Sequence, residues 1–285
     1  MKLTDSSAAN VGATAVTAIA SATAAFRQFM CYLNTTISSA ITGLTGIEKN
    51  GAGTLTLSGF CNYTGETKIN DGMLLINSAS TLDGVISGDG SLGYMYPVGT
   101  LTIAGNNTYS GGTYFYQGVI TFYSSNAFGT GTFVSAIGGT LQSASNRTLP
   151  NNFSLNSGTT QFRTLLANTI IISGNISGAG NLNKTGNGNL NLDGTLTYTG
   201  STNVQAGFIR AKKTVGASTA TATFQFGGLS LGVSFDVAPP SGVTAFRFFQ
   251  GITNQTYAAV TLVGLPVGST AIYTSANSTL SVTVP

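Results

Sequence analysis

The sequence predicts an all-β protein with a solenoid of stacked strands at its centre. Three observations support this fold class: a similar segment occurs three times, each copy alternates apolar and polar residues, and glycines interrupt the alternation at fixed places. The first copy spans residues 47–77. A unit of this length cannot bury its apolar face alone, so the copies are expected to stack around a shared interior.

The three copies keep identical internal spacing when Leu55 is aligned with Leu101 and Leu190. The glycines fall where strands are expected to end, which predicts corners that need positive φ or close backbone approach. The other coinciding positions are Gly59, Gly105 and Gly194; Tyr63, Tyr109 and Tyr198; Gly65, Gly111 and Gly200; and Gly72, Gly118 and Gly207.

The segment GAGTLTLSGFCNYTGETKINDGMLLIN, at residues 51–77, resembles the passenger-associated repeat of bacterial autotransporters. GTLTIAGNNTYSGGT at residues 99–113 and ISGAGNLNKTGNGNLNLDG at residues 176–194 carry the same resemblance, which covers about residues 46–213. It implies a right-handed parallel β-helix. It is specific for a fold and weak for a function, and it brings no catalytic residues with it.

We expect residues 1–45 to form an N-terminal α-helix that serves docking or oligomerisation, because this segment is rich in alanine and poor in glycine. A secretory signal peptide is a second interpretation, supported by Lys2 and by small residues at 22–24, but Asp5 opposes it. A transmembrane span is disfavoured because large apolar residues are few. The helix interpretation depends on apolar residues at heptad spacing, namely Val16, Ile19, Phe26, Met30, Leu33 and Ile37.

The solenoid is expected over residues 46–213, as about eight coils, and a small C-terminal β-domain over residues 214–285. The repeat pattern stops near Thr214, and short alternating strands then follow, separated by turns such as the one at residues 239–242. This pattern predicts a cap or a small antiparallel sandwich.

Charged residues make up 7% of the chain, against about 25% in ordinary globular domains. The solvent face must therefore consist of serine, threonine, asparagine and glycine, which suits exposure outside a cell. The tightest basic group, Arg210, Lys212 and Lys213, is interpreted as a solvated strand end, so no nucleic-acid partner is expected. Cys31 and Cys61 are expected to be buried free thiols.

One stretch is unusually rich in aromatic residues. The phenols of Tyr114 and Tyr116 should face outwards because these residues flank an inward Phe115. The functional interpretation is a sugar-stacking or partner-binding surface, and the alternatives are a trimer interface or an aromatic ladder along the solenoid. The candidate surface residues are Tyr94, Tyr96, Tyr114, Tyr116 and Tyr123.

The absence of histidine from the sequence excludes histidine-dependent triads and HExxH metal sites. Among the 8 carboxylates, Glu66 and Asp71 share one repeat, but the other copies lack acidic residues at both positions. Asp83 and Asp89 flank a glycine-rich corner, where acidic side chains commonly form turns. We therefore expect no enzyme, no catalytic residues, no cofactor and no metal.

The chain lacks a clear leader, and its end at VTVP lacks strands patterned for lipid. This favours a virion-surface protein: a bacteriophage fibre, spike or capsid-decorating protein whose helix docks on other virion proteins. A homotrimer is expected, because outward apolar residues such as Leu75 could be buried between solenoids, and host-surface glycans are a candidate partner. The alternatives are a bacterial adhesin or passenger fragment, either secreted or at the cell surface, and a polysaccharide depolymerase.

Overall fold

The computed structural model describes residues 2–5, 7–10, 26–214, 221–227, 230–235, 242–247, 259–263, 267–274 and 279–284. These residues form strands, turns and loops, and no helix of the kind that could cross a membrane occurs among them. The strands are β1 (Lys2–Asp5), β2 (Ser7–Asn10), β3 (Phe26–Met30), β4 (Thr35–Ile37), β5 (Ile41–Gly43), β6 (Gly46–Asn50), β7 (Thr54–Leu57), β8 (Cys61–Tyr63), β9 (Thr67–Ile69), β10 (Met73–Ile76), β11 (Ser80–Leu82), β12 (Ile86–Ser87), β13 (Ser91–Ile103), β14 (Thr113–Phe122), β15 (Phe133–Ser135), β16 (Gly138–Ser143), β17 (Arg147–Leu149), β18 (Phe153–Leu155), β19 (Thr159–Thr164), β20 (Thr169–Ile172), β21 (Ile176–Ser177), β22 (Asn181–Thr185), β23 (Asn189–Leu192), β24 (Thr202–Val204), β25 (Phe208–Thr214), β26 (Thr221–Gly227), β27 (Ser230–Phe235), β28 (Gly242–Arg247), β29 (Ala259–Val263), β30 (Thr270–Thr274) and β31 (Thr279–Val284).

From β3 onwards the chain coils into a parallel β-solenoid of about 9 turns. Most strands from β3 to β25 pair in parallel with the strand one turn later, so the body is roughly 40 Å long at about 4.8 Å per turn. The first face holds β3, β6, β9 and β12, then β17, β20, β23 and β25. The second face holds β4, β7, β10, the starts of β13 and β14, β15, β18 and β21. The third face holds β5, β8, β11, the ends of β13 and β14, β16, β19, β22 and β24.

Inward side chains from all three faces form one continuous core. Leucine and isoleucine dominate the first turns, and an internal ladder of phenylalanines fills the middle. The ring centroids of Phe115 and Phe133 lie 6.0 Å apart, and those of Phe133 and Phe153 lie 4.9 Å apart. Burial of this apolar surface supplies the main stabilisation of the solenoid.

Each sequence repeat closes one turn on itself. Its first strand pairs in register with its last, so Leu55 lies opposite Leu74 and Leu101 lies opposite Ile120. Leu190 lies opposite Ile209 in the same way. The copies start on the second, third and first faces respectively, because they are not separated by whole turns.

The corner glycines divide into two groups. A Cβ atom added at Gly65 would lie 2.2 Å from the backbone nitrogen of Gly46 in the turn before, so close approach of two backbones excludes any side chain there. The equivalents Gly111 and Gly200 meet the backbone of the preceding turn in the same way. The second group comes equally close to the backbone of the turn before and also has positive φ, with values of 65° at Gly72, 98° at Gly118 and 69° at Gly207.

The recurring tyrosine of each repeat forms a buried hydrogen bond to the threonine four residues later. The two hydroxyl oxygens are 2.7 Å apart for Tyr63 and Thr67, and 2.5 Å apart for Tyr109 and Thr113. Tyr198 and Thr202 form the third such pair. Because each pair spans the corner between two faces, it ties consecutive strands together inside the core.

Tyr109→Phe is expected to lower the free energy of unfolding by about 1 to 2 kcal/mol, because the Thr113 hydroxyl loses its close partner inside the core. Tyr94→Phe should be neutral or stabilising, because the buried Tyr94 hydroxyl has no hydrogen-bond partner among the described residues. Tyr123→Phe, at a half-exposed phenol, is the surface control. Urea denaturation of the three variants measures the differences, and equal losses from the first two would contradict this account.

The predicted helix over residues 1–45 is wrong for the described residues. β1 and β2 pair antiparallel, and Phe26 to Met30 form β3, which pairs in parallel with β6. Ile37 is buried, but Met30 is half-buried and Leu33 is 80% exposed, so they share no apolar helical face. Alternation that resumes after each corner produces a spacing similar to a heptad. Val16 and Ile19 lie outside the described residues, and the solenoid begins about one turn earlier than predicted.

The stacking of parallel strands from turn to turn ends at β25, near the predicted boundary at Thr214, although β27 and β29 further on also pair in parallel. β26 pairs antiparallel with β25, and β27 pairs antiparallel with β26. β31 pairs antiparallel with both β28 and β30. These strands are consistent with a C-terminal β region, and a separate cap or sandwich stays a prediction.

Candidate functional site

The predicted aromatic surface lies mainly at the corner between the second and third faces. Tyr114 and Tyr116 are half-buried on either side of the buried Phe115, as alternation predicts. Tyr96 packs partly against the core, and Tyr123 is 50% exposed.

Tyr94 does not belong to this surface, and its prediction as a surface residue is wrong. Tyr94 is fully buried because it continues the inward positions of β13, opposite Ile76 in the turn before. Its ring stacks on Phe115 at a centroid distance of 6.3 Å. Burial raises the pKa of the Tyr94 phenol well above its ordinary value.

Further apolar side chains surround the outward tyrosines. Leu75, Gly93, Tyr114 and Val134 lie opposite one another in successive turns on the outward side of the second face. Val98 is 83% exposed within the irregular part of β13, where the register with β14 shifts. These residues form an apolar strip along the second face, and the partner or trimer contact expected there stays a prediction.

Two buried lysines hold corners of the solenoid from inside. The Nζ atom of Lys184 donates to the carbonyl oxygens of Thr185 and Gly186 at 2.7 Å and of Ala206 at 3.2 Å. Burial lowers the pKa of Lys184 to about 8. The ammonium group therefore caps carbonyls from two consecutive turns at once.

Lys49 repeats this arrangement near the other end of the solenoid. Its Nζ atom donates to the carbonyl oxygens of Gly51 at 2.5 Å, Asp71 at 2.8 Å and Asn50 at 3.4 Å. Burial also lowers the pKa of Lys49. Sequence reasoning missed both of these lysine–carbonyl clusters. A K-x-G-x-G pattern marks them, because its lysine stands six residues before Leu55 in one copy and six residues before Leu190 in another.

Three of the four carboxylates singled out in the sequence take local structural roles. Glu66 accepts a hydrogen bond from Ser87, and Asp71 accepts one from the backbone nitrogen of Gly72 at 2.7 Å. Asp89 accepts one from Ser110 at 3.1 Å. In the part of the chain that the structure describes, no cluster of three or more histidine, cysteine or acidic side chains could hold a metal ion. Cys31 and Cys61 are buried and unpaired, as predicted.

A groove of about 380 Å³ lies on the third face over the last turns of the solenoid. Amides and hydroxyls dominate its lining, and Leu182 is its apolar member. We call it the amide groove, and its residues are Thr159, Asn181, Leu182, Asn183, Ser201, Asn203 and Gln205. Sequence reasoning missed it because its residues come from three strands, which only the coil aligns.

The fold and its corners define a class of protein, the repeat-built β-solenoids. Residues 47–76, 98–142 and 182–211 match the family described as Passenger-associated-transport-repeat. Three segments of the chain therefore match a passenger-type repeat, and the resemblance predicted from the sequence is confirmed.

The adhesin BmaC autotransporter of Brucella suis biovar 1 (strain 1330) is 52% identical to this chain over 54 residues. The aligned part covers 19% of this chain and 2% of that adhesin. No solved structure matches the chain.

Proposed function

We propose that this chain is a non-enzymatic structural segment of a bacterial adhesin of the autotransporter passenger type, either secreted or at the cell surface. One observation carries the proposal: the segments that match the passenger repeat are the segments that close turns of the solenoid. The similarity to an autotransporter adhesin supports the same class.

The physical properties of the solenoid fit a scaffold outside the cell. A continuous apolar core and parallel ladders along the axis make a stiff rod, and the outward positions are mostly uncharged polar residues. Such a rod displays side chains at fixed spacing along its faces, as a stalk or binding platform requires.

The virion protein favoured by sequence reasoning is less well supported. Both comparisons that match, the repeat family and the adhesin, concern autotransporters. The virion hypothesis also relied on an N-terminal helix that docks on other virion proteins, and the described N-terminal residues form strands instead.

Antibodies raised against the purified chain test the location. On intact cells of the bacterium that produces it, we expect surface labelling that external protease removes, or recovery from the culture medium. An antibody against a cytoplasmic protein controls for lysis. Recovery only in phage particles banded on a density gradient would contradict the proposal and favour the virion hypothesis.

A further inference from the structure

The amide groove is built by register across consecutive turns. Gln161, Asn183 and Asn203 lie opposite one another on β19, β22 and β24 and form one outward column. Thr159 lies opposite Asn181 in the neighbouring column, and Ser201 hydrogen bonds to Asn181. Polar side chains therefore recur about every 4.8 Å along the solenoid axis.

In one side chain of the groove, that of Asn181, the amide oxygen already has hydrogen-bond partners within the fold. The Oδ1 atom of Asn181 accepts hydrogen bonds from the backbone nitrogen and the hydroxyl of Ser201, at 2.8 and 2.9 Å. Asn181 therefore acts as a structural residue that holds the last turn in place.

Asn183 is different, because the fold leaves its amide largely unused. Its Oδ1 atom is buried without a hydrogen-bond partner, and its Nδ2 atom makes a long bond of 3.4 Å to Gln161. Only 8% of the residue is exposed. A buried amide oxygen without a partner costs free energy, and a ligand hydroxyl offsets this cost when the Asn183 side chain turns to present the oxygen to the groove.

The chemistry of the lining selects the class of ligand. Among the described residues, no charged side chain lines the groove, and its volume lies within the range of about 300 to 1,000 Å³ that is usual for small-molecule sites. Amides offer a donor and an acceptor together, which match hydroxyl groups that both donate and accept. A peptide that paired with the edge strand β24 would use main-chain groups rather than these side chains.

We propose that the amide groove binds a neutral oligosaccharide, with Asn183, Asn203 and Gln205 as its hydrogen-bonding residues. The aligned columns suit a ligand whose hydroxyl groups repeat along a chain. Binding is weak, in the millimolar range, because the described part of the chain places no aromatic ring in the groove to stack on a sugar. This inference concerns the groove alone and does not depend on where the chain is located.

Nuclear magnetic resonance titration of the full chain with maltotriose, cellotriose and triacetylchitotriose tests the proposal. We expect at least one of these sugars to shift the side-chain amide signals of Asn183, Asn203 and Gln205. Asn183→Leu should weaken that binding by about tenfold. Asn62→Leu, at an exposed outward asparagine on β8, is the matched control and should bind as the wild type does.

Three results would overturn the proposal: no shift with any trisaccharide at high millimolar concentration, shifts only outside the groove, or an equal response to a neutral tripeptide. Gln205→Ala, at an exposed lining residue, provides a second variant if Asn183→Leu fails to fold. Retained affinity in that folded variant would exclude Gln205 from the site.

Discussion

Gly65→Ala is expected to lower the free energy of unfolding by about 3 kcal/mol, because the added Cβ would overlap the backbone of the turn before. The nearest atom, the backbone nitrogen of Gly46, lies 2.2 Å from the ideal Cβ position and cannot move without separating two turns. Gly200→Ala should behave similarly, since its Cβ would lie 2.1 Å from the carbonyl oxygen of Gly180. Chemical denaturation followed by circular dichroism measures both losses.

Gly93→Ala is the matched control for these variants. Its Cβ would meet the ends of flexible side chains, the Leu75 Cδ1 atom at 2.8 Å and the Met73 Sδ atom at 3.1 Å. These side chains can turn aside, so the loss should stay below about 1 kcal/mol. Equal losses at Gly65 and Gly93 would show that backbone contact between turns does not explain the corner glycines.

Lys184→Met should destabilise the fold by about 2 to 4 kcal/mol at neutral pH, although the two side chains are similar in size. The substitution leaves the carbonyl oxygens of Thr185, Gly186 and Ala206 without their shared donor. Lys68→Met, at a half-buried outward lysine on β9, should cost little and serves as the control. A neutral or stabilising result for Lys184→Met would mean that the cost of burying the ammonium group outweighs its hydrogen bonds.

The stability difference between wild type and Lys184→Met should depend on pH. The pKa of Lys184 is about 8 in the folded chain, against an ordinary value of 10.5. Between these values the unfolded chain binds more protons, so the contribution of Lys184 to stability rises with pH. The difference in stability between wild type and Lys184→Met should therefore be larger at about pH 10 than at about pH 7. A difference that shrinks across this range would contradict the lowered pKa.

The solenoid could be predicted because its signal repeats. Leu55, Leu101 and Leu190 stand in the same local pattern, and one buried face per strand follows from alternation alone. The glycines could be placed at corners, but only the structure shows that Gly65 is needed for close approach alone, whereas Gly72 combines close approach with positive φ.

Other features could not be predicted because they depend on contacts between turns. Lys49 and Lys184 sit at inward positions where a charge is unexpected, and only the coil brings a third carbonyl within reach. The sequence groups Tyr94 with the outward tyrosines, but its register opposite the buried Ile76 places its side chain in the core. At the N-terminus, apolar residues on either side of a corner imitated a helix, since Met30 lies on β3 and Ile37 lies on β4.

The pairing of the first strand of each repeat with its last has an evolutionary consequence. The paired residues, Leu55 with Leu74, Leu101 with Ile120 and Leu190 with Ile209, are 19 positions apart in every copy. A duplicated stretch of that length would carry strand positions that pair in register with the coils before and after it. It would therefore add one complete coil without rotating the neighbouring coils. Genes for such proteins can therefore lengthen or shorten by recombination in steps of a single coil while the product still folds.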